Sequence, residues 1–258
     1  MKNALIGFTG FVGSTLLNQQ KFNFLYRSNN IHEIENQYFD FVLCAGAPAQ
    51  KWLAIKEPEL DLQNIESLIS HLKTIQTKMF VLISTVDVFS SSFEVDENSS
   101  IDESALNAYG LHRRLLEKFV ISHFERCLIL RLPGLVGPGL KKNVIFDLLN
   151  DNNLGAIDSR GVFQFYPMVN LWHDIQTALK ENLHIVHFGT EPISVSEIAS
   201  HGFGIELNNI VSETTPNYKM RSIYAGVFGG LNGYLYSRRE TLLAIRAYAQ
   251  SETKRLVT

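Results

Sequence analysis

The chain has 258 residues, a length for one α/β domain or a domain with a small appendage, and its 45% apolar and 19% charged residues suit a chain with a real buried core. Its 23 basic and 26 acidic side chains give a net charge of −3, which excludes the basic excess of a general nucleic-acid binder. Cys44 and Cys127 lie inside apolar runs and read as buried, reduced thiols, not a disulfide framework.

Those thiols suit the cytoplasm. A strand begins within a few residues of Met1, so no signal peptide is expected, and no apolar run is long enough to span a membrane. The Asn98-Ser99-Ser100 sequon then carries no meaning.

In chain order, residues 3–8 (NALIGF) read as a strand, 12–19 as a helix, FNFLY as a second strand and FVLCA as another. Residues 58–76 form a long amphipathic helix, followed by the strand MFVLIS, a helix over 105–124 and the strand CLILRL. This alternation predicts a parallel sheet covered on both faces and, with right-handed crossovers, doubly wound. After Pro133 the order loosens. NVIFDLLND and NLWHDIQTALKEN read as helices, and GVFQFYP and HIVHFG as strands. In SVSEIASHG, Ser194 and Glu197 have capping-box spacing and Gly202 is the expected stop. Residues 239–251 make a last helix. The expected organisation is a dinucleotide-binding domain over 1–140, to whose sheet later segments return, and a mixed segment over 141–258 that builds a small C-terminal substrate lobe.

LIGFTGFVGST places Gly7, Gly10 and Gly13 at the junction of the first strand and helix. A tight turn there wants a residue without Cβ, a pyrophosphate must approach the backbone, and the helix N-terminus faces the phosphates. Thr9, Phe11 and Val12 belong to the same predicted cradle. The G-x-x-G-x-x-G spacing and TGFVGS at 9–14 resemble the fingerprint of the extended short-chain dehydrogenase/reductase superfamily, the nucleotide-sugar-modifying branch. The resemblance implies a Rossmann-like fold and a nicotinamide cofactor.

The second strand ends FLYRSNN, with no carboxylate to meet a ribose 2′-OH. Arg27, followed by Ser28, is suited to a 2′-phosphate, so NADP(H) is favoured over NAD(H). Only thirteen residues separate Arg27 from Phe41, too few for a full helix–strand–helix insert. A missing third strand, or one short helix around 31–36, is expected. CAGAP then supplies Ala45, Gly46 and Ala47, small residues that let a ligand lie against backbone.

ISTVDVF resembles the STDYVF run of the dTDP-4-dehydrorhamnose reductase group, and NAYGLHRRLLEKF the NxYGxSKLxGE segment of the same enzymes. The resemblance implies Thr85 as the hydroxyl that orients a substrate oxygen, Ser84 as its neighbour on the cofactor side, and Tyr109 as general acid. Arg113 stands where that group carries lysine. Arginine can supply charge and a ribose contact, but it does not relay a proton by losing one. His112, one position out of phase on the helix, is expected to be exposed.

ILRLPGLVGPGLKKN resembles the segment after the sixth strand of extended members. It implies Leu132 and Pro133 as cofactor contacts and Asn143 as a substrate contact, with Lys141 and Lys142 either contacts or simply solvated. Glycine at 134 points away from a UDP-galactose-type epimerase. Arg221 is the candidate phosphate clamp. Phe165, Tyr166 and Trp172 read as core, and the eight histidines show no zinc-like spacing.

The resemblance thus implies an NAD(P)-dependent reductase or epimerase acting on a nucleotide-linked sugar, and a homodimer through the helices at 58–76 and 105–124. The alternative is a non-catalytic NAD(P)-binding sensor or scaffold.

Overall fold

The computed structural model describes residues 1–254. Contacts divide the chain into two units. The first comprises residues 1–91, 99–131 and 172–186, and the second residues 92–98, 132–171 and 187 onward.

The first unit is built on a six-stranded parallel sheet: β1 (Asn3–Ile6), β2 (Phe24–Tyr26), β3 (Phe41–Cys44), β4 (Phe80–Thr85), β5 (Cys127–Leu132) and β6 (Ile185–His187), in the order β6-β5-β4-β3-β1-β2. Every residue of β1, β3 and β5 is buried. That leaves no polar alternation and requires helices on both faces. The covering helices are α1 (Phe11–Gln19), α2 (Lys51–Lys56), α3 (Pro58–Leu72), α4 (Ala108–His123) and, after α5 (Val144–Asn150) of the second unit, α6 (Leu171–Lys180). The fold is the Rossmann-like doubly wound sheet that the sequence predicts.

Register places the first three strand ends side by side. Ile6 pairs with Tyr26 on one side and Cys44 on the other. Gly7, Arg27 and Ala45 therefore leave the sheet at one level, at the point where the winding reverses, which is where open α/β sheets bind ligands. Between β2 and β3 the chain makes only a 3₁₀ turn, Ile31–Ile34, and a two-residue strand, Tyr38–Phe39, paired with Gln76–Thr77. The regular third strand is missing and a short helical turn takes its place, as the short spacing leads one to expect. Both cysteines are free and buried, and burial pushes the Cys44 thiol up to about 11.

Several boundaries differ from expectation. The first strand ends at Ile6 because the glycine turn begins there. α3 starts at Pro58 as expected but stops at Leu72, not 76, and an unexpected short helix, α2, precedes it. Residues 103–105 form their own turn, and α4 begins only after Asn107, whose side chain caps it by accepting from the Gly110 N–H at 3.1 Å.

The second unit holds α5, the final helix α7 (Arg238–Ser251) and short strand pairs. GVFQFYP is not one strand. Val162–Phe163 pairs antiparallel with Ile193–Ser194, whereas Phe165–Pro167 pairs in parallel with Gly134–Val136. Gln164 fills the break, 1% exposed: its amide donates to the Thr190 and Met220 carbonyls and its oxygen accepts from Met220 N–H at 2.7 Å. Ser194 and Glu197 form the expected capping box. Gly202 does not stop that helix. It continues as a π-turn through Phe203 and ends at Gly204, whose φ of 70° is the left-handed conformation glycine tolerates. Phe165 and Tyr166 are core as expected, whereas Trp172, in the first unit, is half-buried and edge-on to Phe22 and Phe41.

Candidate active site

The glycine turn passes a direct test of fit. Gly7 has φ of 83°, and a Cβ on it would overlap the Ala45 backbone. A Cβ on Gly13 would overlap the Gly7 carbonyl, so α1 sits hard against the turn. Gly10 is exposed, with its nearest obstacle the Gly7 oxygen at 3.4 Å. It caps α1 with no side chain, and the first turn of the helix carries no acidic residue. Thr9 is exposed beside it, and Phe11 and Val12 are half-buried. Open backbone and the positive end of the helix dipole fit a pyrophosphate.

Arg27 and Ser28 are exposed at the end of β2. The Arg27 guanidinium lies 5.9 Å from the centroid of Phe8, inside the glycine turn, and its Nε donates to Asn29 Oδ1 at 2.8 Å. Ala45, Gly46 and Ala47 are half-buried at the end of β3, the Ala45 N–H bonded to the Ile6 carbonyl at 2.9 Å. The residues that the sequence assigns to the cofactor in the first unit are thus brought together by adjacent strand ends.

At the end of β4 the chain turns over Val86–Val88, with Thr85 accepting from the Asp87 N–H at 3.1 Å. Tyr109, the second residue of α4, is 8% exposed, and its hydroxyl lies by the Thr85 side chain. Burial raises the Tyr109 ionisation above the ordinary phenol range; Arg113 and Lys51 pull it back, Asp87 pushes it further up, and the Thr85 side chain lowers it. Gly110 makes the pairing possible, because a Cβ there would overlap the Asp87 carbonyl oxygen.

Ser84 is buried and donates to Glu117 Oε1 at 2.6 Å. Glu117, fully buried, also accepts from Arg131 Nε at 2.9 Å and Nη2 at 2.8 Å and from Arg114 at 3.0 Å. The motif residues Ser84, Glu117 and Arg131 therefore lock α4 to the sheet.

Arg113 is 3% exposed, its guanidinium 4.1 Å from the centroid of the Tyr109 ring. One arm donates to Asp61 and the other to the Pro48 carbonyl. Among the described residues its Nε has no hydrogen-bond partner. His112 is not exposed. It is 7% accessible, and its Nδ1 meets the same Asp61 carboxylate at 2.7 Å, because α3 packs against that face of α4. Burial raises the Asp61 carboxyl, but the Arg113 and His112 bonds outweigh it and hold Asp61 below the usual carboxylate range.

Sequence reasoning missed Asp61, Lys51 and Asp87. Lys51 Nζ meets Asp87 Oδ1 at 2.6 Å, and Asp87 Oδ2 accepts from the Thr85 hydroxyl at 3.2 Å. Asp87 lay within the ISTVDVF run and could have been found there. The other two had no local signal.

In the second unit, Leu132 and Pro133 are buried. Asn143, with φ of 106°, is a helix cap: its oxygen accepts from the Ile145 and Phe146 N–H groups and its amide donates to the Leu135 carbonyl at 2.9 Å. Arg221 is half-exposed, 3.6 Å from Glu94 and 5.9 Å from the Tyr234 ring centroid.

No protein-family model matches the sequence, and no curated protein matches it. Solved structures do match its fold. A dTDP-4-dehydrorhamnose reductase from Bacillus anthracis in complex with NADP has a TM-score of 0.75 at 17% identity, covering 98% of this chain and 99% of its own. RMD from Pseudomonas aeruginosa, complexed with NADPH, has 0.73 at 16% identity, covering 98% and 100%. A UDP-glucuronic acid 4-epimerase from Bacillus cereus, a point mutant in complex with NAD and a UDP-sugar, has 0.72 at 16% identity, covering 97% and 98%. The chain shares the Rossmann-like fold of nicotinamide-dependent nucleotide-sugar reductases and epimerases over essentially its whole length.

Proposed function

We propose that the protein is an NAD(P)-dependent reductase or epimerase of a nucleotide-linked sugar. The observation that carries this reading is the pairing of the Thr85 and Tyr109 side chains at the end of β4, in the same sheet whose neighbouring strand ends form the glycine cradle. Gly7 to Gly13 would hold the pyrophosphate and Ala45 to Ala47 the adjoining nucleotide. Arg27 and Ser28 would meet a 2′-phosphate, which favours NADP(H). The bound nicotinamide would supply or accept hydride. Thr85 holds the substrate oxygen, and Tyr109 gives it a proton in reduction or takes one in oxidation. In the second unit, Leu132 and Pro133 are proposed cofactor contacts and Arg221 a phosphate clamp. Asn143 enters as a backbone contact, since its side chain caps α5.

One observation favours a second reading, a nucleotide-binding protein without turnover: the Arg113 fork is committed to Asp61 and Pro48. A homodimer through α3 and α4 is proposed from the resemblance, supported by exposed Leu60, Leu111 and Ile121 on those helices. Denaturing the purified protein and weighing the released nucleotide tests the reading. Retained NAD supports an epimerase, and an empty site that takes up NADPH supports a reductase. A protein that binds neither nucleotide refutes both.

A further inference from the structure

The site has two cations near Tyr109, and only one of them can exchange a proton. Arg113 lies over the ring face, and its outer nitrogens are spent on Asp61 and the Pro48 carbonyl. A guanidinium stays protonated in a protein. Lys51 stands three residues after Pro48, at the first position of α2. By gripping Pro48, Arg113 fixes the segment that delivers Lys51.

From Lys51 the groups run in sequence: Nζ to Asp87 Oδ1 at 2.6 Å, the Thr85 hydroxyl donating to Asp87 Oδ2 at 3.2 Å, and the Tyr109 hydroxyl beside Thr85. The Lys51 side chain is 41% exposed and Asp87 20%, so the chain of groups runs from solvent to a buried phenol. An ion pair this accessible adds little to folding, because water screens it, so stability does not explain the arrangement.

Resting on the reading of Tyr109 as the proton donor, we propose that Lys51, acting through Asp87 and Thr85, is the positioning residue that returns the proton to Tyr109. After Tyr109 has given its proton to the substrate oxygen, the Thr85 hydroxyl passes its own proton to the tyrosinate. Thr85 takes one from the Asp87 carboxyl, which has received it from the Lys51 ammonium, and the Lys51 amine recovers a proton from water. One proton enters from solvent for each one delivered. The titratable and charged groups facing this path are Lys51 from α2, Asp87 from the turn after β4, Arg113 and His112 from α4, and Asp61 from α3.

The test has two readouts on the full-length protein. The first needs no substrate: ¹³C-tyrosine NMR of Tyr109, assigned with Tyr109→Phe and titrated with alkali. Lys51→Ala moves the Tyr109 ionisation further up, and Lys51→Arg leaves it in place. The second is turnover of a dTDP-linked 4-keto sugar with NADPH. Lys51→Ala and Lys51→Arg both lower kcat by about tenfold with KM little changed, and ethylamine restores part of the Lys51→Ala rate. An unmoved Tyr109 titration in Lys51→Ala, or Lys51→Arg turning over as fast as the wild type, overturns the proposal. A wild-type protein inert toward this sugar counts against the nucleotide-sugar reading instead, and the titration then decides for or against Lys51.

Discussion

Gly110 packs against the carbonyl oxygen of Asp87 with no room for a side chain between them. This contact sets how closely α4 approaches the turn after β4, and so sets the spacing of Thr85 and Tyr109. Replacing Gly110 with alanine forces the two elements apart. The expected cost is about 1–3 kcal/mol, read as a lower denaturation midpoint. Activity should fall further than stability does, because the hydroxyl pair is separated.

Tyr109→Phe keeps the ring under Arg113 and removes only the phenolic hydroxyl. Turnover should drop by about 10²- to 10⁴-fold, with NADPH affinity by calorimetry nearly unchanged. Surviving activity would remove Tyr109 from the mechanism.

Arg27→Ala removes the basic group at the end of β2. A charge-assisted bond to a 2′-phosphate is worth about 1.5–3 kcal/mol, so NADPH binding should weaken by about tenfold or more while NADH binding hardly moves. Equal losses for the two nucleotides would exclude a 2′-phosphate contact.

Asp61 carries both Arg113 and His112. Asp61→Asn leaves the buried guanidinium uncompensated, at a cost of about 3–5 kcal/mol. The pH dependence follows from the depressed carboxyl. Its contribution is complete above the unfolded value of about 3.9 and is lost as pH falls through the lower native value. Acid denaturation curves of the wild type should show this limb, and those of Asp61→Asn should lack it.

The sequence made the sheet legible because each strand is a short apolar run and, apart from the β2–β3 connection, each crossover carries a helical period. The glycine turn was legible because its spacing is dictated by local sterics, and Thr85 and Tyr109 because each heads a run of its own. Asp61 was not. An acid in the first turn of a helix reads as a partner for the helix dipole, and only the packing of α3 on α4 shows that it serves His112, 51 positions away. For the same reason His112 read as exposed. Lys51 stayed hidden because it opens a six-residue helix over a stretch to which the sequence pattern assigned no element.

The interleaving of the two units bears on any attempt to dissect the protein. A chain cut after residue 140 would keep the glycine turn, Thr85 and Tyr109, yet lose residues 172–186, and with them most of α6 and of the edge strand β6. β5 would be left with an unpaired apolar edge, a template for aggregation. Neither unit is a contiguous stretch that could be expressed alone, so folding intermediates with a finished N-terminal half must wait for chain synthesised much later.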